Sequence, residues 1–471
     1  MTTTAIHWFR RDLRLADNPA LAAAAAAHAH VVPLYIHAPE EEGEWAPGAA
    51  SRWWLHHSLH ALDAGLRRHR GGLQVLHGGT LDALRAAIQA TGATAVYANR
   101  LYDPASRRRD KAVFDALEDD GIEVVTCNAA LWCEPWDIAT KQDEPYRVFT
   151  PFWRSLRPRI DEVEAIAEPA PLSLAALPHA ATLASLDLLP SLDWARGFKA
   201  WTPGEAGAQA MLDLFADDAV GHYAESRDMP ARHGTSRLSP HLHFGEISPR
   251  QVAAGLRQRL SRRRNAVDIE PYLRQLGWRE FGHHLLYHFP KTTKENFNPR
   301  FDGFRWARRD NHALRRWQRG QTGIPIVDAG MRELWATGWM HNRVRMLAAS
   351  FLTKNLRQHW VLGSYWFWDT LVDADLANNA MGWQWVAGSG ADAAPYFRIF
   401  NPVTQSQKFD PDGAYIRQWI PELADAPGHL VHAPWEDEAF LKASGYPAPM
   451  VDLKATREAA LTAYQGLKHD P

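Results

Sequence analysis

The sequence predicts two folded parts, an α/β domain followed by an all-α domain. Three observations predict it. The chain has 471 residues, too many for one ordinary hydrophobic core. Short runs rich in β-branched residues alternate with helical stretches only before about residue 130. From about residue 203 the apolar pattern is helical almost throughout.

The strand candidates are 6–9, 31–36, 73–76, 95–97 and 122–126. Helical segments at 19–28, 51–69, 81–90 and 106–119 separate them. Strand–helix alternation of this kind gives a parallel, doubly wound, Rossmann-like sheet with helices on both faces. Residues 1–130 are read as this domain. Residues 131–202 form a linker, because prolines recur there and 168–189 is rich in Ala, Pro and Leu. Residues 203–471 are read as the helical domain, with helices at 205–217, 249–260, 270–288, 326–337, 342–355 and 364–376.

Composition excludes several classes. The two cysteines, Cys127 and Cys133, cannot build a disulfide scaffold or a four-cysteine metal site. Residues 1–14 do not read as a secretory signal, and no apolar run is long enough to span a bilayer. A soluble, cytoplasmic, monomeric protein is expected, with no membrane partner. His241, His243, His283, His284 and His288 lack acidic or cysteine partners at metal-ligand spacing, so no metal is expected.

The net charge is −2, but from residue 227 to 357 there are 25 lysines and arginines against 10 acidic residues. Such asymmetry fits one face for a polyanion, and equally a solvated basic surface. Tryptophan is abundant, with 21 residues, many of them between Trp278 and Trp385. Most tryptophans serve as core; stacking on bases and electron transfer are the other uses.

Four stretches carry candidate chemistry. The first is GTSRLSP at 234–240, in which Thr235, Ser236, Arg237, Leu238 and Ser239 offer backbone N–H groups, hydroxyls and a guanidinium. That is a phosphate cradle, and equally an ordinary helix N-cap. The second is Trp278-Arg279-Glu280-Phe281, with Gln275 three residues before Trp278 on the same helix face. The third runs from Gly338 through Trp339 to Met346, where Asn342, Arg345 and Met346 share a face. The fourth is Asp373-Ala374-Asp375, followed by Asn378, Asn379 and Trp383-Gln384-Trp385. Two carboxylates in apolar surroundings need partners, and Arg345 is a natural one. That pairing reads as a structural salt bridge with a ligand resting against it.

Taken together, these motifs and Asp392-Ala393-Ala394-Pro395-Tyr396-Phe397-Arg398-Ile399-Phe400-Asn401-Pro402 resemble the photolyase/cryptochrome family, most closely its class I cyclobutane pyrimidine dimer photolyases. The opening Trp8-Phe9-Arg10-Arg11-Asp12-Leu13-Arg14-Leu15-Ala16-Asp17-Asn18 is similar to that family's first strand and turn. Order and spacing match over nearly the whole chain. The resemblance implies FAD in the helical domain. Tyr223 and Thr235–Ser239 would hold its diphosphate, while Arg279, Trp339, Asn342 and Arg345 would line the flavin. Asp373 and Asp375 would contact its ribityl or ring region, and Asn379 would lie near N5 and accept from it when protonated. DNA carrying a pyrimidine dimer is the implied partner. Trp278 and Trp385 would stack on the extruded dimer, bordered by Asn342, Arg343 and Met346, with Arg227 on a phosphate. Trp383, Trp360 and Trp306 match the family's electron-carrying tryptophan chain. The implied reaction is light-driven one-electron splitting of the dimer.

The chain departs from the pattern at Gln275, where dimer photolyases usually carry a glutamate. Its amide can donate and accept but cannot deliver a proton. The departure predicts weaker repair, and it opens two further readings: a cryptochrome-type photoreceptor with little repair, or a (6-4) photolyase. Against the latter, Asn342 and Met346 stand where that subfamily places histidines. A dark flavin oxidoreductase lacks support, because no dinucleotide-binding glycine motif is present. The folate-binding members carry Asn-Glu shortly after the tyrosine at 102, where this chain has Ala105-Ser106. The folate pattern is thus not matched, and the sequence leaves the second pigment open, with a deazaflavin or none as the expectation.

Overall fold

Runs of β-branched and aromatic residues build a parallel sheet in the N-terminal part. The computed structural model describes residues 3–162, 164–261, 266–393 and 397–467. The strands are β1 (Thr4–Phe9), β2 (His30–His37), β3 (Gln74–His77), β4 (Ala95–Asn99) and β5 (Glu123–Cys127). They lie in the order β3-β2-β1-β4-β5, all parallel. The chain winds outward from β1 to β3, then returns past β1 to β4 and β5, which is the doubly wound topology expected. The crossovers carry α1 (Pro19–Ala27), α2 (Ala49–Arg67), α3 (Thr80–Thr91) and α4 (Pro104–Asp119). Ile6, Trp8, Val32, Leu34, Leu84, Val96 and Leu117 fill the core on one face.

The turn after β1 is fixed by buried polar groups. Asp12 accepts from the Arg10 backbone N–H at 2.7 Å and from the Asn99 amide at 2.6 Å. Burial alone would raise its pKa; hydrogen bonds from His7, the backbone and Asn99 outweigh that and hold it at about 2. Asn18 caps α1 by accepting from Leu21 N–H at 3.1 Å. Arg14, 1% exposed, donates to the carbonyls of Asp17, Gly245 and Ala129 at 3.1, 2.8 and 2.9 Å.

Beyond β5 the proline-rich stretch is not featureless. It contains α5 (Phe149–Leu156), with Pro151 in the first turn, where no intrahelical N–H bond is lost. Further on, Ala175 N–H donates to Val31 and Ala181 N–H to Val75, so this stretch covers the β3 edge of the sheet.

The later helices are α6 (Glu205–Asp217), α7 (Tyr223–Ser226), α8 (Ser239–His243), α9 (Pro249–Leu260) and α10 (Glu270–His288), then α11 (Asn311–Gln318), α12 (Pro325–Thr337), α13 (Asn342–Ser350), α14 (Trp360–Thr370) and α15 (Leu376–Ala387). Two segments differ from expectation. The 342–355 helix is α-helical only to Ser350 and ends in a π-turn, Phe351–Asn355. The 364–376 helix is two elements: α14 stops at Thr370, and Asp375 starts α15 by accepting from Asn378 N–H at 2.9 Å. An aspartate N-cap inside an apolar run broke the pattern. Ala394, Pro395 and Tyr396 of the C-terminal motif lie outside the described residues.

The chain forms two compact units that interleave in sequence. The first holds residues 1–194, 199–221 and 236–290; the second holds 195–198, 222–235 and 291–471. Helices α6 and α8–α10 thus belong with the sheet-bearing unit. Among the described residues no helix is long and apolar enough to cross a membrane.

Arg14→Ala strands three buried carbonyls, and should cost about 3 kcal/mol of unfolding free energy. Urea unfolding followed by circular dichroism measures it; an unchanged midpoint would show that the guanidinium does not hold this turn.

Candidate functional site

In the second unit, one loop pair organises the candidate residues. Helix α12 ends at Gly338, whose φ of +69° suits glycine, and a Cβ there would meet Phe198 and Val372 at 2.6 and 2.7 Å. The close approach lets Val372 N–H donate to Gly338 O at 2.8 Å. Arg345 on α13 then bridges the same two segments. Its Nε donates to Met340 O at 2.7 Å, and its Nη2 meets Asp373 Oδ2 at 2.8 Å. The Arg345–Asp373 pair read from the sequence therefore forms. Asp375, 8% exposed like Asp373, sits at the N-terminus of α15 and also accepts from the Asn378 amide at 2.6 Å.

One turn into α15, Asn379 donates through Nδ2 to Ser364 O and Ser364 Oγ at 3.1 and 3.0 Å. Its Oδ1 is thereby kept as an acceptor. Asn342 is exposed, with its amide 4.0 Å from Met346 Sδ. Trp339 is buried, with the Arg345 guanidinium 5.8 Å from its ring centre.

Tyr223, Arg227 and Arg343 come together through a residue that sequence reasoning missed. Asp228 pairs with Arg343 at 2.7 Å and with Arg227 at 3.9 Å. The Arg227 guanidinium lies 5.6 Å from the Tyr223 ring centre, and burial pushes that phenol's pKa up to about 12. Adjacency of Asp228 to Arg227 was the available signal.

Two of the three candidate electron-carrying tryptophans are buried and the third is part-exposed. Trp383 is 3% exposed and Trp360 fully buried, whereas Trp306 is part-exposed. Gly363, one turn from Trp360 on α14, makes room for the Trp383 ring; a Cβ there would fall 2.0 Å from it. His359 lies between the outer two, with its ring centre 5.0 Å from Trp306 and 5.7 Å from Trp360. Burial lowers the His359 pKa, which favours the neutral ring. Trp385 is half-buried and helps line a recess with Val386, Asp392, Arg398 and Phe400. The Arg398 guanidinium lies 5.5 Å from the Trp385 ring centre.

The first unit holds the remaining candidates. Helix α10 carries Gln275, Trp278 and Arg279, all partly exposed. Trp278 stacks on Phe149 of α5 at 3.7 Å, nearly parallel at 10°. A residue so distant in sequence gave no signal. Arg279 donates to Ala130 O at 2.7 Å and to Leu242 O at 3.5 Å. In the hydroxyl loop, Ser236 Oγ accepts from Tyr272 OH at 2.8 Å and from Leu238 N–H at 3.3 Å. Arg237 has a left-handed φ of +52°, and its guanidinium is 6.0 Å from the Trp201 ring centre. Ser239 begins α8. Thr235 falls in the second unit. No cluster of three or more potential metal ligands occurs among the described residues.

Comparison with known proteins decides the family. Residues 5–171 match the family described as DNA photolyase, and residues 272–466 match the FAD binding domain of DNA photolyase. The chain is 48% identical to the deoxyribodipyrimidine photo-lyase of Agrobacterium fabrum, over 99% of this chain and 98% of that one. The chain belongs to the photolyase/cryptochrome family. This member is also 40% identical to cryptochrome-2 of Arabidopsis thaliana, over 97% of its own length and 78% of the relative's. Its fold superposes on the crystal structure of a bacterial class III photolyase from Agrobacterium tumefaciens with a TM-score of 0.94, at 46% identity, covering 100% of this photolyase-family chain and 98% of the other.

Glu280, beside Arg279, has a pH signature. Burial raises its carboxyl to about 7, opposed by the Arg279 guanidinium 3.8 Å away and by the Trp132 N–H at 3.0 Å. The unfolded side chain ionises near 4.5 and the folded one only near 7, so stability should fall as pH rises from 4.5 to 7. Glu280→Gln should flatten that fall in melting temperatures taken across the window; an unaltered slope would assign it to other groups.

Proposed function

We propose that this protein repairs pyrimidine dimers in DNA by light-driven electron transfer from bound FAD. The observation that carries the reading is that one helix, α15, presents three chemistries. Asn379 offers a fixed acceptor, Trp383 offers a buried indole that heads the series with buried Trp360 and part-exposed Trp306, and Trp385 offers a half-buried ring beside a recess containing Arg398.

The residues fit a flavin. Its ring carries N–H donors and carbonyl acceptors along one edge; Asp373, Asp375 and the Asn379 oxygen can accept, and Arg345 can donate. Tyr223, Thr235 and Trp339 complete this set in the second unit. By the same family correspondence, Ser236, Arg237, Leu238, Ser239 and Arg279 in the first unit serve the cofactor. FAD, when bound, supplies one-electron chemistry under blue light.

The protein's own groups do the rest. The Arg345–Asp373 pair fixes the loop that bears both carboxylates. Trp385, and separately Trp278 with one face backed by Phe149, each supply aromatic surface on which an extruded pyrimidine dimer can stack. Arg227 and Arg343, held by Asp228, are placed to meet a phosphate, with Asn342 and Met346 beside Arg343 on α13. Gln275 hydrogen-bonds the base edge without moving a proton. Trp383, Trp360 and Trp306 return electrons to the cofactor from the surface. Such a role fits the cytoplasm and a monomer.

Likeness to a protein described as a class III photolyase favours that class over the class I suggested by the motifs. A photoreceptor role is the second reading, favoured by Gln275 and by the cryptochrome relative. The second pigment stays a deazaflavin or none.

Reduced protein under blue light should restore thymine absorbance in dimer-containing single-stranded DNA. Gln275→Glu should raise the yield per photon by several-fold, since a polar contact that becomes buried when the dimer binds is worth on the order of 1–2 kcal/mol. No light-dependent recovery by FAD-loaded protein would favour the photoreceptor; equal or lower yield from the variant would remove Gln275 as the cause of weak repair.

A further inference from the structure

Trp306 stands inside a segment with an unusual charge. Arg305, Arg308 and Arg309 flank it, and all three are exposed. The two neighbouring carboxylates keep their charge, which leaves the segment net positive by one, but neither pairs with these arginines. Asp310 caps α11, accepting from the His312 and Ala313 N–H groups at 2.9 and 3.0 Å, and Asp302 accepts from the Asn296 amide at 2.8 Å. Among the described residues no carboxylate pairs with any of the three arginines; Arg309 donates only to the Asn311 side chain, at 2.9 Å.

The segment is not a loose tail. Ala307 N–H donates to Arg357 O at 2.8 Å, and the Gln358 side chain binds Arg308 O and Asp310 N–H, both at 3.2 Å. The Trp306 ring packs on Phe304 and His359, with centroids 4.6 and 5.0 Å away. A redox-capable ring is thus held part-open, beside three guanidinium groups that no carboxylate pairs with among the described residues. Three guanidinium groups within one Debye length, with no carboxylate partner among the described residues, raise the local concentration of anions and speed their encounter by tenfold or more at low salt. A mere solvated face would not need its backbone fixed on both sides of a part-exposed indole.

We propose that Arg305, Arg308 and Arg309 form a docking surface for a small anionic one-electron donor that discharges into Trp306. The inference rests on the tryptophan path proposed above. In the step, the donor loses one electron and Trp306, previously oxidised by its inner neighbours with the photoexcited flavin as terminal oxidant, gains it. No bond is made or broken, and the indole keeps its proton.

The test uses FAD-loaded protein and flash photolysis, with ferrocyanide as the anionic donor and ferrocenemethanol as the neutral one. Iodide and acrylamide quenching of the Trp306 emission, taken as wild type minus Trp306→Phe, gives a readout free of any redox step. Arg305→Gln/Arg308→Gln/Arg309→Gln should slow ferrocyanide by at least fivefold and leave ferrocenemethanol within twofold. It should also weaken iodide quenching by at least twofold while acrylamide quenching holds. Equal slowing of both donors, or unchanged rates with both, would overturn the proposal. So would loss of undamaged-duplex binding with donor rates intact, which would give the arginines to nucleic acid. The Trp306→Phe protein separates the two failures. If it reduces as fast as wild type, the tryptophan path fails and the docking surface with it. If it is slow while the arginine variant is normal, only the docking surface fails.

Discussion

The ion pair between Arg345 and Asp373 is the constraint on which the candidate site depends. It closes one end of α13 onto the loop between α14 and α15, where Gly338 and Val372 already share a backbone hydrogen bond. A carboxylate this buried is unfavourable without its cation, and the cation is held in turn by the Met340 carbonyl. With that loop fixed, Asp375 can cap α15, and the direction of α15 is set. Asn379, Trp383 and Trp385 then take their places by helical spacing alone.

The same helix is braced on its far side. Gln384 is buried, donates to Thr292 O and Glu295 O at 2.6 and 2.9 Å, and accepts from Phe297 N–H at 2.7 Å. Lys354, from the π-turn, donates to Ala387 O at 2.6 Å, and its ammonium sits 3.2 Å from the Phe397 ring centre. Burial pushes that lysine's pKa well down. The end of α15 is therefore gripped from two directions, which suits a helix proposed to carry an electron path and a stacking surface together. Redox steps gain from such fixity because little must reorganise when charge moves.

Much of this was legible before any coordinates. Strand–helix alternation gave the sheet and its winding, since parallel strands need crossovers and crossovers have one hand. The helices 205–217, 249–260 and 270–288 end where the pattern ends. Buried charge demanded a partner for Asp373, and Arg345 was the available one. What could not be read were contacts made across large sequence separations. Phe149 behind Trp278 and Ser364 under Asn379 leave no periodic trace. Asp375 was visible as a carboxylate, but its use as an N-cap split a helix that hydrophobic pattern alone had run together. Helix α5 was hidden because its proline sits in the one turn that tolerates it.

The central claim is that these side chains hold one FAD. The most direct measurement is the absorption spectrum of the purified, folded protein, with flavin released by denaturation and counted against protein. The account predicts flavin bands and about one FAD per chain, or uptake to that level when FAD is added. A correctly folded sample that is colourless and takes up none would contradict it.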